Sequence, residues 1–318
     1  MCFHGKEKIL LKNNYITILG PTASGKTSLS IEVAKKINGE IIGLDSRQIY
    51  KEMKIGTAQP SIKERDGVVH HLIGCLDPWI RISAGQYAKK IHEKIYEIEN
   101  KGKIPLICGG AGLYYRSIAT GLFEKSSTNI EIRKSLEVSY EKSPETLMKK
   151  LQLIDPEYSD IVHINNRQRL IRALEIYQIT GKPPTEHYKN QKKNNQLKLF
   201  TIYLGWKKST LNERIVARAK DMISNGWFDE AKLLFDKQDK SKVKFPALNS
   251  IGYSQIMKFF RDEINKSQLE ESIIIETRQF AKKQTQWFAK EKIDIVLEMD
   301  NLKIKDIPEI LYCILMPQ

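Results

Sequence analysis

The chain has 318 residues, 41% hydrophobic and 28% charged, enough apolar material for a full core in one large domain plus a smaller one. A formal net charge of +14 gives the surface an excess of cations and makes nucleic acid the leading partner class. Cys2, Cys75, Cys108 and Cys313 are scattered with no C-x-x-C pair, which fits neither a disulfide framework nor a zinc site and points to a reducing cytoplasm. MCFHGKEKILLKNN lacks the apolar core of a signal peptide and no stretch reaches span length, so neither export nor membrane insertion is expected.

In chain order, Tyr15 to Leu19 (YITIL) reads as a strand ending at Gly20, and Lys26 to Ile37 as a helix with Leu29, Val33 and Ile37 on one face. EIIGL is a second strand with Asp45 at its carboxyl end, and HHLIGCLD a third. Ser83 to Asn100 carries Tyr87, Ile91, Ile95 and Ile98 at helical spacing, and IPLIC then leads into Gly109-Gly110. From about Glu124 to Lys198 helices and polar connections replace strands, ending in the basic linker Lys189 to Lys198. LFTIYLGW, Leu199 to Trp206, restores strand character before a helix-rich remainder that closes near ILYCIL. The expected fold is therefore α/β: a P-loop type parallel core from residues 1–123 and 199–318, with a helical insertion at 124–198.

The strongest chemical signal is GPTASGKT, Gly20 to Thr27, set between a strand and a helix. Such a loop converges backbone N–H groups on an anion at a helix N-terminus, with Lys26 adding charge and the Thr27 hydroxyl available to Mg²⁺. It indicates a diphosphate or triphosphate without indicating ATP. Asp45 at the next strand end is open to three readings: Mg²⁺ ligand, general base, or helix N-cap for the segment after it. His70-His71 has no partner set at ligand spacing and reads as structural.

Taken together, the motifs resemble the bacterial-type tRNA dimethylallyltransferases, also called tRNA isopentenyltransferases. The resemblance runs through GPTASGKT, DSRQIYKEMKIGTAQP, HHLIGCLDP, GGAGLYYRSIATGL, NNRQRLIRALEIYQITGKP, LGW, RIVAR, SIGYSQIM and TRQFAKKQTQWF. It implies transfer of a dimethylallyl group from dimethylallyl diphosphate to the exocyclic amine of the adenine immediately 3′ to the anticodon, by a cytoplasmic monomer. Gly20, Pro21, Thr22, Ala23, Ser24, Gly25, Lys26 and Thr27 would hold the diphosphate with Arg214 and Arg218, Mg²⁺ would sit at Thr27, and Asp45 would act as general base.

The same resemblance implies contact with the tRNA anticodon stem-loop by Asp45, Ser46, Arg47 and Gln48, by Ala111 and Arg133, by Gln168, Arg169, Leu170, Ile171 and Arg172, and by Ile251, Gly252 and Tyr253. The residues themselves place Leu170 and Leu174 on the core side of a capped helix that offers Arg167, Arg169 and Arg172 to RNA. Phe280, Trp287 and Phe288 are assigned to packing, Arg278, Lys282 and Lys283 to a basic surface, and Tyr114 and Arg116 to the substrate channel. The chain departs from the family pattern at Ala111, where a threonine is usual, and at Asn249 and Ser254 around the IGY stretch. Two other classes fit parts of the sequence: a P-loop kinase using Asp77 as a metal-binding carboxylate, and a non-catalytic RNA-binding module, which leaves Lys26, Thr27 and Asp45 without a role.

Overall fold

The computed structural model describes residues 14–121, 129–189, 196–303 and 305–315. Six strands form one sheet: β1 (Tyr15–Leu19), β2 (Gly39–Leu44), β3 (His70–His71), β4 (Ile104–Gly109), β5 (Leu199–Gly205) and β6 (Ile295–Glu298). Their order is β3-β2-β4-β1-β5-β6 and every pairing is parallel, with Ile16 opposite Leu106 and Tyr15 opposite Leu199. Parallel strands need crossovers that cover both faces, which is why β1, β2 and β4 are nearly continuous apolar runs.

Ile16, Ile18, Ile41, Leu106 and Ile202 pack with α1 (Lys26–Lys36) on one side. Ile42, Leu44 and Ile107 pack on the other with α3 (Ala84–Glu99), reached after the short α2 (Ile62–Arg65), and with α4 (Gly112–Ala119). α3 begins where Ser83 and Gln86 close a reciprocal capping box, and it buries Tyr87, Ile91, Ile95 and Ile98. Each such side chain contributes about 1.5–3 kcal/mol of burial.

Two compact units emerge, one from residues 1–119 and 197–318 and the other from Thr120–Gln196. The second contains α5 (Ile130–Lys142), α6 (Pro144–Ile154), α7 (Pro156–Ser159), α8 (Arg167–Thr180) and α9 (Pro184–Lys189), around a core of Leu136, Leu147, Leu151, Leu170 and Leu174. The first continues with α10 (Lys208–Ser224), α11 (Trp227–Ser241), α12 (Tyr253–Phe260), α13 (Lys266–Phe288) and α14 (Ile307–Leu315). Residues 1–13 with Cys2, the 123/124 boundary expected from sequence, and positions 190–195 of the expected linker lie outside the described residues. No helix among the described residues is long and apolar enough to cross a membrane.

The third strand is shorter than HHLIGCLD suggests. Leu72 and Gly74 turn the backbone to φ 58° and 60°, and only a bridge between Tyr50 and Leu76 resumes the pairing. His71 has a structural partner: its Nε2 lies 2.7 Å from the buried Glu40 carboxylate, which also accepts from Lys103 and Lys101. Burial alone would raise the Glu40 carboxyl, but the hydrogen bonds from Lys103, His71 and Lys101 bring it down to about 2.

Candidate active site

β1 ends in the loop that the glycine spacing marks. Ala23 and Gly25 take φ of 63° and 87°, the alternation that turns successive N–H groups toward one concavity. No side chain caps α1 at Gly25, so the helix opens on unclaimed amides. A Cβ on Gly20 would crowd the loop, lying 2.7 Å from Ser24 Oγ and 3.3 Å from Leu204 Cβ. The loop's outward carbonyls are held: Lys26 Nζ donates to Pro21 O at 3.0 Å, Arg214 Nε to Ala23 O at 2.8 Å, and Trp206 Nε1 to Ser24 O at 2.9 Å. Arg214 also lies over the Trp206 ring, 4.4 Å from its centroid. Burial pushes the Lys26 ammonium below its ordinary pKa, while Cys108 and Asp45 oppose the shift and Arg218 adds to it. Burial likewise lowers Arg218, against the attraction of Asp45.

Asp45 sits one residue beyond β2. Its Oδ1 accepts from Arg47 N at 2.7 Å and Gln48 N at 3.2 Å, but a turn and not a helix follows, so the expected helix cap is instead a turn cap that occupies one oxygen. Tyr87, fully buried, fixes the backbone here by donating to Gly43 O at 2.6 Å and accepting from Asp45 N at 3.4 Å. The carboxylate and the loop meet in a cavity of about 300 Å³. Thr22, Ala23, Asp45 and Arg218 supply its polar wall, and Ile215, Met222, Trp227 and Ile273 its apolar one. Ser46, Arg47, Asn249 and Ile251 also line it, and Arg47 ties the two acceptor-side loops together by donating to Pro246 O and Asn249 O.

Several residues expected to contact RNA make supporting contacts within the protein. Tyr253 is fully buried and donates to Glu230 at 2.6 Å, while Glu230 accepts the amides of Ile55 and Gly56. Burial first, then the Glu230 charge, raises the Tyr253 phenol far above its ordinary value. Gly252 has φ 91° and Trp227 stands where its Cβ would be, so Gly252 and Tyr253 shape the loop that presents Ile251. Gln48 Nε2 donates to Thr57 O and Ala58 O. Ala111 is not among the cavity-lining residues; its N–H donates to Leu44 O. Ser254 donates to Gln255 Oε1. Tyr114 is stacked on Tyr87, and burial raises its phenol to about 12; Arg116 pairs with Glu291 and covers Trp287. Neither lines the cavity, because both are committed to packing α4. Phe280 departs the other way: assigned to packing from sequence, it is 41% exposed and lines the cavity. Asp77, the carboxylate a kinase would use, pairs with Lys51 at 3.0 Å and is absent from the cavity lining.

In the helical unit, Asn166 caps α8 and Gly181 ends it. Leu170 and Ile171, placed by resemblance among the RNA contacts, are 0% and 2% exposed and belong to the unit's core. Arg167 pairs with Glu141, and Arg172 with the fully buried Glu175, which Arg133 approaches at 3.8 Å. Gln168 and Arg169 are exposed, and Arg169 forms no ion pair among the described residues.

Comparison with known proteins adds independent findings. The family model described as IPP transferase matches residues 48–291. A tRNA dimethylallyltransferase of Hydrogenovibrio crunogenus is 36% identical over 92% of this chain and 90% of its own length. The Bacillus subtilis protein of the same name is 39% identical over 87% and 88%. Among solved structures, the tRNA delta(2)-isopentenylpyrophosphate transferase of Staphylococcus epidermidis is similar at TM-score 0.69 and 31% identity, covering 96% of this chain and all of that one. A eukaryotic dimethylallyltransferase crystallised acting on tRNA is similar at TM-score 0.82 and 28% identity, covering 95% and 78%.

Proposed function

This chain belongs to the tRNA dimethylallyltransferase family, and on that premise we propose that it moves a dimethylallyl group from dimethylallyl diphosphate to N6 of the adenine immediately 3′ to the anticodon in tRNA, acting as a monomer in the cytoplasm. The observation that carries the reading is a cavity in which Thr22 and Ala23 of the phosphate loop, Arg218 and Asp45 face an apolar wall; Lys26 and Thr27 are not among its lining residues.

Lys26, the loop amides, Arg214 and Arg218 hold the diphosphate. Ile215, Met222, Trp227 and Ile273 receive the prenyl chain. Charge grows on the diphosphate as the allylic carbon–oxygen bond breaks and the electron pair leaves with it, so fixed donors act most strongly in the transition state. N6 forms the new carbon–nitrogen bond. Its lone pair is delocalised into the ring, and Asp45 takes the proton that the amine sheds. The adenine reaches Asp45 by leaving its stack, at a cost of about a few kcal/mol that is smallest in a loop.

Mg²⁺ fits the donor set. No cluster of three or more His, Cys, Asp or Glu side chains suited to a metal occurs among the described residues. Thr27, half-buried at the second position of α1, keeps its hydroxyl clear of partners among them. Mg²⁺ commonly takes one or two protein oxygens and completes its shell with substrate phosphate and water. Held by Thr27, it would neutralise charge on the leaving diphosphate.

The direct test incubates the protein with tRNA, Mg²⁺ and dimethylallyl diphosphate and then measures nucleoside masses. A prenylated adenosine 3′ to the anticodon is the expected product. Bound but unmodified tRNA would favour a passive RNA-binding module, and ATP turnover without RNA a kinase.

The helical unit is assigned to the anticodon stem-loop. With Arg167 and Arg172 engaged by carboxylates, Arg169 is the α8 cation best placed for a phosphate. Arg169→Ala is expected to reduce the magnitude of the log affinity against log salt slope by about 0.7–0.9 without relaxing base choice. Gln168→Ala is expected to do the reverse. Titrations across a salt series check both.

A further inference from the structure

Gln284, 6% exposed on α13, spans two segments far from it in sequence. Its Oε1 accepts the Thr22 amide at 2.8 Å, and its Nε2 donates to the Gly110 carbonyl at 2.9 Å. A carboxamide serves both groups at once; a carboxylate cannot donate and an aliphatic side chain does neither. The turn after β4 is shaped around this contact. A Cβ on Gly110 would stand 2.5 Å from Gln284 Nε2 and 2.9 Å from the Gly20 carbonyl. The phosphate loop, the Gly109-Gly110 turn and α13 therefore meet at one buried amide.

Three successive loop residues each have a backbone group held from the C-terminal part of the chain: Thr22 by Gln284, Ala23 by Arg214 and Ser24 by Trp206. A loop gripped on its outer side presents its remaining N–H groups at fixed positions, the condition for stabilising charge without reorganisation. Arg214 also reaches toward the cradle, since a Cβ on Gly25 would lie 3.4 Å from its Nη2. Gln284 is absent from the cavity lining, so its influence passes through the loop.

The geometry points to Gln284 as a positioning residue that sets the phosphate loop for the departing diphosphate, an inference that rests on reading the loop as a diphosphate cradle. The test compares wild type with Gln284→Leu and Gln284→Glu in transfer to tRNA. Inorganic diphosphate serves as inhibitor, tRNA binding is titrated separately, and thermal unfolding monitors the fold. The leucine variant is expected to lose about 10- to 100-fold in kcat, the scale of a small misplacement of catalytic groups, and to weaken diphosphate inhibition with tRNA affinity unchanged. The glutamate variant keeps the bond from the Thr22 amide, loses the bond to Gly110 and adds negative charge behind the loop, so diphosphate inhibition is expected to weaken further. Wild-type kcat and diphosphate inhibition in either folded variant would overturn the inference, as would equal losses of tRNA and diphosphate affinity, which mark a general packing role. A wild-type protein that neither transfers nor responds to diphosphate would instead overturn the cradle reading beneath it.

Discussion

Asp45→Asn is expected to slow single-turnover prenyl transfer by ~10²- to 10⁴-fold, the usual worth of a general base, while tRNA affinity holds. The substitution isolates the proton-accepting role because it preserves the other one. Asparagine Oδ1 can still accept from Arg47 N and Gln48 N, so the turn after β2 keeps its shape. Tyr87 continues to clamp the backbone through Gly43 O. What disappears is the oxygen that carries no hydrogen bond among the described residues and can take a proton. Near-normal transfer by a folded, tRNA-binding variant would remove Asp45 from the chemistry and leave it a cap.

Lys26→Met is expected to cost ~10²- to 10³-fold in transfer, on the scale of removing a preorganised donor from developing charge. Methionine keeps most of the stem's volume and loses the ammonium. Burial already disfavours that charge, and Asp45 is among the groups that sustain it. A half-buried cation whose charge desolvation disfavours suits a site that meets an anion. The bond from Lys26 Nζ to Pro21 O is lost too, so unfolding should be followed beside kinetics. The expected pattern is a large fall in kcat and weaker inhibition by diphosphate, with tRNA binding retained. A variant that loses only thermal stability would make Lys26 a loop brace.

The parts of this site legible in sequence are those written within a few adjacent residues. GPTASGKT between a strand and a helix announces its own geometry, and the 3.6-residue spacing of Tyr87, Ile91, Ile95 and Ile98 fixes the face of α3. What escapes is long-range. β6 is a four-residue edge strand of alternating exposure, too short for a pattern to mark. Gln284 stands 262 positions from the amide it holds, and in TRQFAKKQTQWF nothing distinguishes it from Gln279 or Gln286. Phe280 precedes the buried Ala281 on α13 but points about 100° away from it round the helix, into the cavity lining. Tyr253 and Leu170 depart the opposite way: each lies in a stretch expected to meet RNA, and each is fully buried. A motif identifies a segment, and only packing says which of its side chains face the ligand.

In the proposed reaction one cavity joins loss of diphosphate to attack by an RNA base. This coupling is tested most directly by quantifying diphosphate release and prenylated adenosine in the same reaction, with and without tRNA. One diphosphate released for each adenosine prenylated is expected, and no release when tRNA is left out. Diphosphate release that runs without RNA, or that exceeds the modified nucleoside, would contradict it.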